Sequence, residues 1–296
     1  MGYQRRLSIL LAIALALTLA GARTPLWAQE KNFLWRVQGG ENIVYILGSI
    51  HLLKRGSAAL KPVVQEVFGK SQRLVFEIDL LKEGPEKFQQ LLAQKGVNAD
   101  GKMLAQQLTP ETYEMVAQKA AAMGLDIKLL APFKPWVVAL TMVVMQLQKL
   151  GYDPSLGIDH QLAQRAKQAN KPVSGLETAE FQMDIFNQLT AAQQDLFLRQ
   201  SLLEMDQLEQ AVDDMVGAWQ SGDVERGEKL FLESMRAYPE LKDKVLDARN
   251  RRWLPQIEAL LKQNQNVLVV VGTAHLVGPA GVIELLKARG YKLEQM

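Results

Sequence analysis

The sequence contains no cysteine among its 296 residues. That excludes disulfides, thiolate metal sites, iron–sulfur clusters and cysteine nucleophiles. Histidine is scarce as well, three in the whole chain, so each can be judged by its own surroundings. Neither charge sign is in strong excess, with 34 basic and 32 acidic side chains. Residues 1–28 hold Arg5, Arg6 and Arg23 and no acid, and setting them aside leaves 31 basic groups against 32 acidic, a net charge of −1. A nucleic-acid partner, which normally needs a basic face, is not expected. No linker rich in proline, glycine or serine and no low-complexity tract divides the chain. What is present is an ordinary globular composition, 48% hydrophobic and 22% charged, in a chain long enough for a large core.

The N-terminal segment has the layout of an export signal: a basic start, an apolar run over residues 7–19, then small and turn-forming residues. Cleavage is expected after Ala28, with Ala22 as the alternative, leaving residues 29–296 as a single exported domain, periplasmic or secreted. The apolar run is short for a spanning helix, which needs about 20 residues, so no stable membrane insertion is expected once the signal is cut. Retention as an uncleaved membrane anchor is the alternative. No cysteine is available for lipid attachment, and an exported chain without disulfides must be held by its core.

Past residue 32 the pattern is strand-like over 33–37 and 43–47, joined by a Gly39-Gly40 turn. A helix is expected near 58–68, with Leu60, Val63, Val64, Val67 and Phe68 at helical spacing, then a strand over 73–79. A mostly helical middle follows at about 85–262. In it Thr109-Pro110-Glu111 opens one helix and Gly124 closes it. Residues 126–130 read as a short strand, 135–150 as a strongly apolar core helix, 157–169 as a helix and 172–175 as another short strand. The C-terminus repeats the opening grammar with a strand at 267–271, a helix at 280–288 and a last strand at 291–294. The fold class expected is α/β (α+β), a mixed central sheet from two βαβ-like units at the two ends of the chain with a large helical middle region.

The two ends share a motif. Tyr45-Ile46-Leu47-Gly48-Ser49-Ile50-His51 has its counterpart in Val269-Val270-Val271-Gly272-Thr273-Ala274-His275. Each is an apolar strand ending in Gly-x-x-His, and in open α/β sheets chemistry gathers beyond the C-terminal ends of the strands. If the two strands are close in the sheet, the imidazoles converge. Glu77 belongs to the strand between them in sequence, and strand alternation puts Val75, Glu77 and Asp79 on one face. A carboxylate in such an apolar strand needs a partner when buried, and a metal or an arginine supplies one. Two histidines and a carboxylate make a metal site with open positions. Each histidine can equally hydrogen-bond a loop carbonyl and do nothing else.

With these residues in view, the chain resembles the TraB/GumN family, which is related to Tiki-type proteins. The resemblance rests on Phe33-Leu34-Trp35-Arg36-Val37, both Gly-x-x-His strands, Val75-Phe76-Glu77-Ile78-Asp79, Gly157-Ile158-Asp159, the run from Lys171 through Gly175-Leu176-Glu177-Thr178, Arg249-Asn250-Arg251, and Gly278-Pro279-Ala280-Gly281-Val282. It implies that His51, His275 and Glu77 form the centre, and Tiki-type members imply metal-dependent proteolysis there. The family's Arg-Asn pair maps onto Arg249 and Asn250. Ser49 stands where threonine is expected, which keeps the hydroxyl, and His160 has no counterpart in the family pattern.

The reading is an exported metal-dependent hydrolase, a peptidase, in which His51, His275 and Glu77 hold a divalent ion. Two nitrogens and one oxygen suit zinc, manganese, cobalt or iron. Glu77 is either ligand or base. Arg249 and Asn250 are either donors to a developing oxyanion or part of a solvated basic face. Asp79 either orients a histidine or caps the chain leaving its strand, and Glu177 either faces the cleft or caps the helix at Thr178. The substrate would be a peptide or small molecule. The alternative is a non-catalytic periplasmic protein that sequesters a peptide, a signal molecule or a porphyrin.

Overall fold

The computed structural model describes residues 31–57, 60–233, 235 and 238–296. The expected signal segment, residues 1–28, lies outside the described residues. No helix among the described residues is long and apolar enough to cross a membrane.

The sheet is mixed, as expected. Its strands are β1 (Leu34–Gln38), β2 (Ile43–Ser49), β4 (Arg73–Phe76), β6 (Val173–Gly175), β7 (Val267–Gly272) and β8 (Leu293–Gln295), arranged β6-β4-β7-β2-β1-β8. A separate two-stranded ladder joins β3 (Leu53–Lys54) to β5 (Tyr152–Asp153). β2, β7, β4 and β6 run parallel, whereas β1 and β8 form an antiparallel edge. Three of the crossovers skip strands: the chain leaving β2 returns as β4 with β7 between them, the chain leaving β6 returns as β7 with β4 between them, and the chain leaving β7 returns as β8 beyond β2 and β1; only the crossover from β4 to β6 joins neighbours. The two Gly-x-x-His strands are therefore direct neighbours, with Gly48 opposite Val271 and Ser49 opposite Gly272.

β7 is buried along its whole length, which is why it reads as an unbroken apolar run rather than an alternating one. Helices Pro62–Lys70, Ile158–Gln168, Ala248–Leu260 and Val282–Ala288 cover the sheet through Val64, Val67, Leu162, Ala166, Trp253 and Ile257. Burying each of the valine, leucine and isoleucine side chains among these contributes about 1.5–3 kcal/mol. The helical middle has its own core, where Val116, Val138, Met142, Leu198 and Leu202 join helices Pro110–Met123, Pro135–Lys149 and Ala191–Glu204. The cap expected at the first of these is present: Thr109 Oγ1 accepts from Thr112 N–H, and Gly124 closes the helix at φ 74°.

Three local expectations change. Residues 126–130 form a 3₁₀ turn, Ile127–Leu129, because the Asp126 carboxylate accepts from Lys128 N–H and offers the backbone an alternative to pairing. The strand from Arg73 stops at Phe76. Asp79 Oδ1 then accepts from Leu81 and Lys82 N–H, which turns the chain, so Asp79 caps and does not share the face of Glu77. The helix expected at 280–288 starts at Val282, after a loop that carries His275.

Candidate functional site

Gly272, the last residue of β7, is where the expected side chains meet. A Cβ placed on it would lie 3.1 Å from His51 Nε2, 3.2 Å from Glu77 Oε1 and 3.7 Å from His275 Cδ2. The absence of a side chain there leaves one small space shared by both histidines and the glutamate. Parallel pairing produces this, since β2 and β4 flank β7 and all three end on the same side.

His51 follows β2, and its side chain is about half exposed. Its Nδ1–H donates to Asp159 Oδ2 at 3.1 Å. Asp159 is brought in by the start of helix Ile158–Gln168, which docks on the strand exit: Ile158 N–H donates to the Ile50 carbonyl at 3.0 Å. Only glycine fits before it, because a Cβ on Gly157 would come within 2.3 Å of the His51 carbonyl oxygen. The negative charge of Asp159 outweighs the partial loss of water around the ring and pushes His51 up to a pKa of about 9.

His275 is buried at the start of the loop after β7. Asn250 Nδ2 donates to the Ala280 carbonyl at 2.9 Å, which fixes its amide and leaves Oδ1 to accept from His275 Nδ1–H at 2.6 Å. The proton is thus on Nδ1, and Nε2 carries the lone pair. Burial brings the pKa of His275 down to about 3, so the ring is neutral at ordinary pH. Both histidines therefore have one nitrogen held by an acceptor and Nε2 turned inward, the arrangement in which metal-ligating imidazoles are usually oriented.

Glu77 sits one residue beyond β4. Its Oε1 accepts from Gly272 N–H at 2.7 Å, and its Oε2 accepts from Gln182 Nε2 at 3.0 Å and Arg249 Nη2 at 2.5 Å. Burial disfavours its charge, but His275, Arg249, His51 and the Gly272 amide outweigh this and bring it down to about 2. Arg249 is buried and so is not part of a solvated basic face. Its guanidinium bonds Glu177 through Nε at 2.9 Å and also through Nη2, and Nη1 donates to the Val245 carbonyl at 2.9 Å and to His275 Nε2 at 3.0 Å. The turn before Arg249, Asp243–Asp247, is π-wound, with Ala248 N–H reaching back to Asp243. Such turns recur at functional sites.

Glu177 is completely buried and does not cap the following helix; Thr178 does that through Phe181 N–H. Its Oε1 takes Arg249 and Gln182, and its Oε2 takes Trp253 Nε1 at 3.0 Å. Trp253 lies 4.4 Å from the His275 ring and 4.8 Å from the Arg249 guanidinium. Asn250, expected as an oxyanion donor, has both amide atoms engaged, an arrangement that orients His275 instead. His160 donates to or accepts from nothing in the cluster; its Nδ1 meets the Ser155 carbonyl at 3.1 Å.

Sequence reasoning assigned no part to Asp159, Gln182 or Trp253. Trp253 had a usable signal, since it is four residues after Arg249 and so on the same helix face. Asp159 stood inside the Gly157-Ile158-Asp159 motif. Gln182 had none, because its role depends on where helix Ala179–Asn187 docks.

Above the cluster opens a cleft of ≈ 460 Å³ whose floor includes His51, Glu77, Arg249 and His275. A smaller pocket of ≈ 190 Å³ shares His51 and Glu77 and is lined by Ser49, Asp159 and Gln182 together with apolar Phe76, Ile78 and Leu80. In it, Ser49 Oγ and Asp159 Oδ1 are buried without a hydrogen-bond partner among the described residues.

A sequence model of the TraB/PrgY/gumN family matches residues 33–295. The chain belongs to that family. It is 25% identical over 248 residues to the uncharacterized protein YbaP of Escherichia coli (strain K12), covering 84% of this chain and 89% of the relative. It is 24% identical over 166 residues to the metalloprotease TIKI2 of Danio rerio, covering 46% of this chain and 32% of the relative. An uncharacterized protein of Treponema pallidum (strain Nichols) is 23% identical over 172 residues, 56% of this chain and 50% of the relative. No solved structure matches.

Proposed function

We propose that this protein is a metal-dependent hydrolase, a peptidase, acting outside the cytoplasm after removal of residues 1–28. The observation that carries this reading is the convergence of His51 Nε2, Glu77 Oε1 and the His275 ring on the bare Cα of Gly272. The name of one distant relative, a metalloprotease, supports it.

The donor chemistry fits a divalent ion. Both imidazoles present Nε2 with Nδ1 bound elsewhere, and Glu77 is ionised at any ordinary pH. As the side chains stand, no group of three among the described residues is gathered closely enough to hold an ion, and Arg249 bonds both Glu77 and His275. Loading would require Arg249 Nη1 to release His275. A divalent ion held by His51, His275 and Glu77 would supply Lewis acidity at a peptide carbonyl and make an attacking water more acidic.

The chain's own residues would do the rest. Glu77, with a pKa near 2, is too weak a base to take a proton near neutrality, so its part is that of a charged ligand. Asp159 and Asn250 orient the two rings. Arg249 lines the cleft as a cationic donor toward developing negative charge, and Glu177 and Trp253 hold it there.

The test is elemental analysis of the purified mature chain and of the His51→Ala/His275→Ala double variant, with cleavage of a peptide library assayed alongside. The wild-type chain is expected to carry about one equivalent of metal and to lose cleavage when chelated, and the folded double variant to carry none. Stoichiometric metal in the folded double variant would sink the assignment.

A further inference from the structure

The cleft combines a polar cluster with apolar walls. Its polar and charged lining comes from His51, Glu77, Thr273 and His275 at the ends of the strands and from Arg249 and Gln182 on two helices, and these groups are largely paired with one another. The walls come mostly from the helical middle. Val212, Met215 and Val216 share one face of helix Leu208–Ser221, Ile185 and Phe186 belong to helix Ala179–Asn187, and Leu246 belongs to the π-wound turn. No charged side chain lines these walls among the described residues.

We propose that these walls form a subsite for large apolar side chains, and that the substrate is an extended peptide with an aliphatic or aromatic residue flanking the bond that is cut. The bond cleavage rests on the hydrolase reading above, whereas the subsite rests on the walls themselves. A charged side chain entering it would lose its water and meet no partner. An apolar one exchanges water for Val212, Met215 and Ile185, the direction in which burial is favourable. The volume, ≈ 460 Å³, is within the range of sites that enclose a small ligand, so it admits a large side chain together with adjoining backbone. The reactive cluster forms the floor of the same cavity, so whatever fills the subsite is carried to within reach of His51 and Glu77.

The test uses two matched dansyl peptides with an uncleavable reduced-amide bond, flanked by Phe in one and Asp in the other, together with their cleavable counterparts. Binding to the mature chain is read by fluorescence anisotropy, and cleavage as kcat/KM. The Phe peptide is expected to bind at least tenfold more tightly, the order of discrimination an apolar pocket supplies. Met215→Gln, similar in length but polar, should lower the Phe/Asp ratio severalfold, and Met215→Leu should keep it, with melting temperature and metal content checked for each. Equal binding of the two peptides, or a ratio unchanged in Met215→Gln and in Val212→Asn, overturns the subsite. Binding of myristate or hemin with no binding of either peptide also overturns it. Preferential binding without any cleavage refutes the hydrolase reading and leaves the subsite standing, whereas cleavage without preference does the reverse.

Discussion

Gly272→Ala tests the centre with the smallest possible change. Gly272 has φ −54° and ψ 138°, backbone angles that alanine adopts without strain. A Gly→Ala change at such a position stabilises a fold by about 0.4–1 kcal/mol through the unfolded chain. Against this stands crowding, since the new methyl would lie 3.1 Å from His51 Nε2 and 3.2 Å from Glu77 Oε1, and overpacking costs about 1–3 kcal/mol. His51 is half exposed and can give way, which places the net loss of stability at about 1–2 kcal/mol. The effect on metal affinity should be much larger. Ligand bonds of about 2 Å require both donors to approach one point, and the methyl takes up the space between them. Isothermal titration of Zn²⁺ into the mature chain at neutral pH should show a Kd weakened by at least about 100-fold, roughly 2.7 kcal/mol, with a nearly unchanged circular dichroism spectrum. Equal zinc affinity in the two proteins would refute the placement of the ion over Gly272.

Two further outcomes follow from the charges around the centre. Arg249→Met leaves Glu77 and Glu177 without their shared cation; breaking a buried pair this way costs about 3–5 kcal/mol, on the order of 10 °C in Tm. The exposed pair of Arg251 with Asp243 should be worth less than about 1 kcal/mol in an Arg251→Met control, and equal melting of the two variants would contradict the buried network. Asp159→Asn should return His51 from about 9 toward its ordinary value near 6.5, read by NMR titration of the ring. Because the folded pKa is the higher one, the stabilisation from the pair is full below about pH 6.5 and lost as pH rises through about 9. The stability gap between Asp159→Asn and wild type should narrow across that window, and a gap that widens there would contradict the pairing.

The sheet at the two ends of the chain was legible because its strands carry patterns that act locally. Val267–Gly272 is apolar throughout, and a short apolar run of that kind is a buried strand wherever it sits. The order of the strands was not legible in the same way. That β7 lies between β2 and β4 is set by pairings between segments far apart in the chain, Val267 with Val44 on one side and with Arg73 on the other, and no local pattern encodes which strand a returning segment will pair with. The repeated Gly-x-x-His motif carried the missing information. Two strands that end alike, placed side by side in nearly matched register, bring their histidines to one place.

The part of the site that escaped the sequence shows what such motifs leave out. Glu177 read equally well as a helix cap, since an acid before Ala179 would suit a helix N-terminus, yet Thr178 takes the cap and frees Glu177 to turn inward. Once inside, it must be matched, and the match is made by three groups from two helices: Arg249 and Trp253 from Ala248–Leu260, and Gln182 from Ala179–Asn187. Each of these contacts is a consequence of docking rather than of spacing. The same docking explains the difference between the two histidines. His275 lies under Trp253 and beside Asn250, so it is dry and neutral; His51 faces the cleft beside Asp159, so it is wet and proton-rich. Two copies of one motif thus arrive at the centre in opposite protonation states. If these residues hold an ion as proposed, its binding below about pH 9 would displace a proton from His51 and none from His275.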